Sequence, residues 1–150
     1  NRRQLVLVPL VDLPELAEET LAAVPSPWGA HPLVLDGRLT LLMHRQAWAE
    51  AVETGLMGCA AEAGQPSFFI HTAFCLHEMG RTEEAHLLLA SGPAALRREA
   101  LFHYNMGCYL NVLGRVGEAL NSLAEAFRLD ASLRDFAGCD RDLQSIRDQL

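Results

Sequence analysis

The chain has 150 residues, half of them hydrophobic, and a formal net charge of −7, which is enough for one domain with a sizeable core and requires no second. All twelve basic residues are arginine, so Schiff-base lysine chemistry and the phosphate-gripping lysine of P-loop enzymes are excluded. The acidic balance, without an arginine cluster or basic residues interleaved with aromatics, argues against a nucleic-acid partner.

Residues 1–30 form an N-terminal segment with one predicted helix. Asp12-Leu13-Pro14 opens it, with proline early in the first turn and Glu15, Glu18 and Glu19 near the positive end of the helix dipole. It runs through Val24 and stops at Pro25-Ser26-Pro27. The apolar run from Leu5 to Val11 contains Pro9 and is far too short to cross a bilayer, so no membrane partner is expected. The segment lacks the small-residue cleavage pattern of a secretory signal. Because the chain starts at Asn1 without methionine, it reads as a fragment, in which case repeats could be missing upstream.

From residue 31 to 131 the chain repeats itself. A shift of thirty-four residues superimposes Phe68, Leu76, Gly80, Arg81, Glu84, Ala85, Leu89 and Ala90 on Phe102, Leu110, Gly114, Arg115, Glu118, Ala119, Leu123 and Ala124. A repeat of this length is one helical hairpin, which cannot bury its apolar face alone and stacks on its neighbours. Gly80 and Gly114 fall where the first helix of each unit must end in a left-handed residue, and Ala85 and Ala119 where two helices must approach closely. A degenerate copy lies one period upstream, where Pro32, Leu42, Glu50 and Ala51 align with Pro66, Leu76, Glu84 and Ala85. The three units are 31–62, 66–92 and 100–131. Ser91-Gly92-Pro93 cuts the middle one short, so its second helix is expected to be shortened.

Residues 132–150 are expected to be capping helices that cover the last apolar face. Ser132 and Asp135 mark one helix start, with Leu133, Phe136 and Ala137 as its buried side. Asp140 starts a final helix, with Leu143, Ile146 and Leu150 inside and Arg141, Asp142, Arg147 and Asp148 outside.

Cys59, Cys75, Cys108 and Cys139 contain no C-x-x-C pair and read as buried, reduced thiols of a cytoplasmic protein. A zinc set drawn from His71, Cys75, His77, His103 and Cys108 is disfavoured, because at 100° per residue these side chains leave their helices in different directions, whereas zinc needs four converging ligands. His77-Glu78 opens like a zincin motif, but Arg81 occupies the place of the second histidine. With no G-x-S-x-G, glycine-rich cradle or enforced carboxylate pair, the chain is expected to be non-catalytic and to need no cofactor.

The stretch from Ala100 to Ala131 resembles the tetratricopeptide repeat (TPR) family. Met106-Gly107 stands for the family's Leu-Gly pair and Leu110 for its tyrosine, with Ala119, Leu123 and Ala126 following in register. The departures are His103 for the first tryptophan, Ala131 for the terminal proline, and Gly117 within the second helix. Asp140 to Leu143 is similar to the closing segment of many bacterial members, which marks it as a cap. The resemblance implies an all-α, right-handed superhelix of three hairpins whose concave wall binds a peptide or helix of a partner protein. The groove positions it implies are Asp36, Thr40 and His44 in the first unit, Ile70, His71, Phe74, His77 and Glu78 in the second, and Tyr104, Asn105, Cys108, Asn111 and Val112 in the third. Such a groove suits an uncharged or mildly basic peptide. The lysine clamp of TPR co-chaperones has no lysine to build it here. Two alternatives share the composition: a chaperone like those of type III secretion, which would be a dimer rather than a monomer, and a His/Cys metal-dependent protein.

Overall fold

The computed structural model describes residues 14–24 and 28–150, and every regular element in it is helical. In chain order these are α1 (Pro14–Ala22), α2 (Pro32–His44), α3 (Trp48–Ala61), α4 (Pro66–Glu78), α5 (Thr82–Ala90), a 3-10 helix (Ala94–Arg98), α6 (Ala100–Val112), α7 (Val116–Leu129), the short α8 (Leu133–Ala137) and a terminal 3-10 helix (Arg141–Gln149). The predicted helix start at Asp12-Leu13 and the stop at Pro25-Ser26-Pro27 lie outside the described residues. Among the described residues no helix is long and apolar enough to cross a membrane.

Each helix from α2 to α7 packs on the next, and α4 also touches α6. Proline opens both α2 and α4, where its missing N–H is one that no helix could satisfy. Gly80 and Gly114 close α4 and α6 at φ +76° and +82°. After each glycine the chain closes with a backbone bond back into the helix, Arg81 N–H to the Leu76 carbonyl and Arg115 N–H to that of Leu110. In the first unit Gln46 takes the same left-handed place at φ 56°, which costs a residue with a Cβ about 1 kcal/mol. The degenerate copy therefore keeps the turn geometry without the glycine that marks it in the other two.

The second helices return on small residues. Ala51, Ala85 and Ala119 are wholly buried, each letting its helix sit close to the preceding one. Between α3 and α4 the fit is closer still: a side chain at Gly55 would strike Thr72, and one at Gly58 would strike the ring of Phe68. The Thr72 hydroxyl, enclosed at this seam, donates to the Phe68 carbonyl at 2.5 Å, so its burial leaves no unmet polar group. Leu35, Leu39, Phe68, Leu89, Phe102 and Leu123 run through one continuous core, each contributing about 1.5–3 kcal/mol by leaving water.

The middle unit's second helix, α5, has 9 residues against 14 in α3 and α7. It ends at Ser91-Gly92-Pro93, and the chain reaches α6 through the 3-10 helix, whose Leu96 is wholly buried.

The C-terminal region departs from its expected form in four ways. Residues 141–149 wind as a 3-10 helix, and at three residues per turn Leu143 and Ile146 share one buried edge. Phe136, expected inside, is 63% exposed, because adjacent residues leave a helix about 100° apart and Ala137 takes the buried side. Cys139, expected to be buried, is exposed. Asp142, expected on the outside, turns toward α4 and α6, where hydrogen-bond partners await it.

Candidate functional site

A cleft of about 700 Å³ opens between α4, α6 and the C-terminal region. The stripe Ile70, His71, Phe74, His77 and Glu78 comes from α4, and Leu101, Tyr104, Asn105 and Cys108 come from α6. These follow the i, i+3, i+4, i+7 spacing that places residues on one helix face. The opposite wall is Leu133, Phe136, Asp140, Arg141 and Asp142. Trp48 braces the floor from behind, packing edge-on against Phe74 at 5.9 Å between centroids.

Eight of the sequence-derived positions thus meet in one cleft: Ile70, His71, Phe74, His77, Glu78, Tyr104, Asn105 and Cys108. The other five do not line it. Asp36 is buried on α2, and its carbonyl accepts the Thr40 hydroxyl. His44 is exposed at the end of the same helix. In the first unit only Met43 reaches the cleft. Val112 faces outward at 48% exposure. Asn111 is buried beneath the C-terminal wall rather than open to a ligand.

Four polar side chains of this face, Tyr104, Cys108, His77 and Asn111, find partners within the molecule. Tyr104 donates its hydroxyl to Asp140 Oδ2 at 2.6 Å, and the Cys108 thiol lies 3.7 Å from the same oxygen. Asp140 Oδ1 accepts the Asp142 N–H at 2.9 Å and so caps the terminal 3-10 helix. His77 is held on both sides, with Nδ1 2.9 Å from the Thr82 hydroxyl and Nε2 2.8 Å from Asp142 Oδ2. Asn111 Nδ2 donates to the Asp142 carbonyl at 2.8 Å and to Ser145 Oγ at 3.0 Å. Five polar bonds therefore tie α4 and α6 to residues 140–145.

Burial dominates the electrostatics of this seam. It pushes the Tyr104 hydroxyl and the Cys108 thiol well above their ordinary ranges, and the neighbouring Asp140 carboxylate pushes both further the same way. Tyr109, next in sequence and also lining the cleft, is raised first by burial and then by the charges of Cys108 and Asp142. Both groups on Cys108 and Tyr104 stay protonated at neutral pH, as donors facing the carboxylates.

Sequence reasoning missed Leu101, Tyr109 and the whole C-terminal wall. Leu101 was recoverable, since it begins the same helical stripe as Tyr104, Asn105 and Cys108. The wall had a fainter signal. Tyr104, Asn111 and His77 are polar groups on apolar helices that require partners, and Asp140 and Asp142 could supply them.

Comparison of the chain with family models, with curated proteins and with solved structures returns no match.

Proposed function

We propose that the chain is a non-catalytic recognition module: a TPR-like, right-handed superhelix of three hairpins whose cleft holds a short segment of a partner protein. The thirty-four-residue repeat and its glycine-closed turns support the architecture. The observation that carries the function is the cleft itself. It opens along the first helices of the second and third units, and its volume falls in the range of ligand-binding pockets, about 300–1,000 Å³. That size suits a few side chains of an extended or helical segment and not a folded domain.

The chemistry of the walls narrows the partner. Because Tyr104, His77 and Asn111 are already bonded to the C-terminal wall, what remains open is largely apolar: Ile70, Phe74, Leu101 and Phe136, rimmed by His71 and Asn105. Glu78, Asp140 and Asp142 leave one end acidic, with Arg141 the only arginine in the lining. The fitting ligand has an apolar anchor beside an uncharged or mildly basic flank. Binding at such a site is concentrated in a few apolar anchors. A cytoplasmic setting agrees with the buried thiols Cys59, Cys75 and Cys108.

The test is selection from a displayed peptide library on the whole chain, followed by titration of the enriched peptides. Leu101→Asp places a charge in the cleft and abolishes binding. Val112→Asp, exposed on the same helix outside the cleft, leaves it intact. Equal binding by both variants moves the site elsewhere.

A further inference from the structure

The seam between α4, α6 and the C-terminal wall gathers a thiol, an imidazole and two carboxylates from three places in the chain. The ligand atoms of Cys108, Asp140 and Asp142 lie within 4.8 Å of one another, and His77 Nε2 stands 2.8 Å from Asp142 Oδ2. We propose that Cys108, Asp140 and Asp142 form a binding site for a divalent transition-metal ion of the zinc class, with His77 holding Asp142 from outside the ligand set. The proposal stands apart from the peptide reading and does not depend on it.

The spacing fits the ion. Tetrahedral zinc with ordinary bond lengths holds sulfur and oxygen about 3.5 Å apart. Cys108 Sγ and Asp140 Oδ2 are already 3.7 Å apart. His77 lies outside this set of mutually close ligand atoms, so water would complete the tetrahedron.

The imidazole fixes one of the carboxylates. Nδ1 is held by the hydroxyl of Thr82, itself buried, and Nε2 lies 2.8 Å from Asp142 Oδ2. Ligating carboxylates are commonly hydrogen-bonded in this way, and such outer partners orient them.

A separate group points to the same place. Tyr109 is 2% exposed, its ring lies 4.9 Å from that of His77, and its buried hydroxyl has no hydrogen-bond partner among the described residues. A buried hydroxyl with no partner is costly, and an oxygen or water bound at the metal supplies one.

The donor set selects the metal. A thiolate favours zinc, cobalt or nickel over magnesium and calcium, which take oxygen ligands. On binding, the Cys108 S–H bond breaks, its electron pair goes to the metal and its proton to solvent. One proton is therefore released per ion. The sequence alone sets this site aside because it compares histidines and cysteines within α4 and α6. The two carboxylates come from beyond α7, where no spacing rule connects them to either helix.

The experiment uses the whole chain stripped by a chelator, titrated with Zn²⁺ by calorimetry and with Co²⁺ by absorption. The expected result is one ion per chain, one proton released, and a thiolate-to-cobalt charge-transfer band. Cys108→Ser loses the band, whereas Cys139→Ser, at the exposed thiol, keeps it. Thr82→Val keeps the band and weakens zinc binding by about 10–100-fold, as loss of an orienting partner does. If Cys108→Ser does not fold by circular dichroism, Asp142→Asn and Thr82→Val decide the matter by their zinc affinities. Less than one ion per chain, a band that survives Cys108→Ser, a band lost only in Cys139→Ser, or wild-type zinc affinity in both Asp142→Asn and Thr82→Val overturns the site.

Discussion

At the seam between α3 and α4 the molecule is joined by shape. Gly55 and Gly58 admit Thr72 and Phe68 at distances that no other residue would allow, and the enclosed Thr72 hydroxyl is satisfied within α4. At the seam between α6 and the C-terminal wall the joint combines two apolar pegs, Leu143 and Ile146, with a row of hydrogen bonds to Asp140, Asp142 and Ser145. Close packing is felt at every methylene, whereas a polar seam depends on each donor keeping its acceptor. The two seams should therefore fail differently when perturbed.

The largest effect is expected at the first seam. Phe68→Ala empties the ring's place against Gly58 and costs about 3–5 kcal/mol, read as a lower urea midpoint with the transition still cooperative. Leu143→Ala removes a wholly buried peg of the wall and costs about 2–3 kcal/mol. Hydrogen exchange should show residues 141–149 losing protection while α3 and α4 keep theirs. Uniform loss across the chain would mean that the wall and the array unfold as one, and the contrast between the seams would fail.

Asp140→Ala is expected to cost about 1–2 kcal/mol, through loss of the cap and an orphaned Tyr104 hydroxyl. Restoring acceptor capacity with Asp140→Asn recovers part of it. If the two variants are equally destabilised, the carboxylate acts by charge and not by accepting hydrogen bonds.

The smallest effect is a pH dependence. Burial, followed by the charge of Glu78, holds the Cys75 thiol up to about 11, whereas an unfolded thiol ionises near 8.5. The folded value is the higher one, so this contribution is complete below the unfolded value and is lost as pH rises toward the folded one. Stability should be flat to about pH 8 and then fall, by up to about 1.4 kcal/mol per pH unit for each such thiol. Cys75→Ala should flatten the fall below pH 11, and what persists belongs to Cys59, Cys108, Tyr104 and Tyr109, all raised in the same direction.

The helical array was legible because its determinants are local. Gly80 and Gly114 sit at fixed offsets from Ala85 and Ala119, and one helix face repeats along each unit. The α4 and α6 stripes of the cleft were legible for the same reason. The first unit's contribution was not: Asp36 is buried at a position where the family resemblance implied a groove contact. The C-terminal wall escaped because Asp140 and Asp142 look solvated in any one-dimensional reading. Their partners lie 36 and 65 residues earlier, at Tyr104 and His77, and no periodicity spans such distances.

The glycine notch in α3 also bears on redesign. In the next unit Leu89 stands at the place of Gly55, and it is wholly enclosed there. A second copy of residues 66–99 spliced in tandem would press that leucine against the counterpart of Thr72. The units look interchangeable in an alignment, yet their edges are keyed, and lengthening the array would require recutting each new junction.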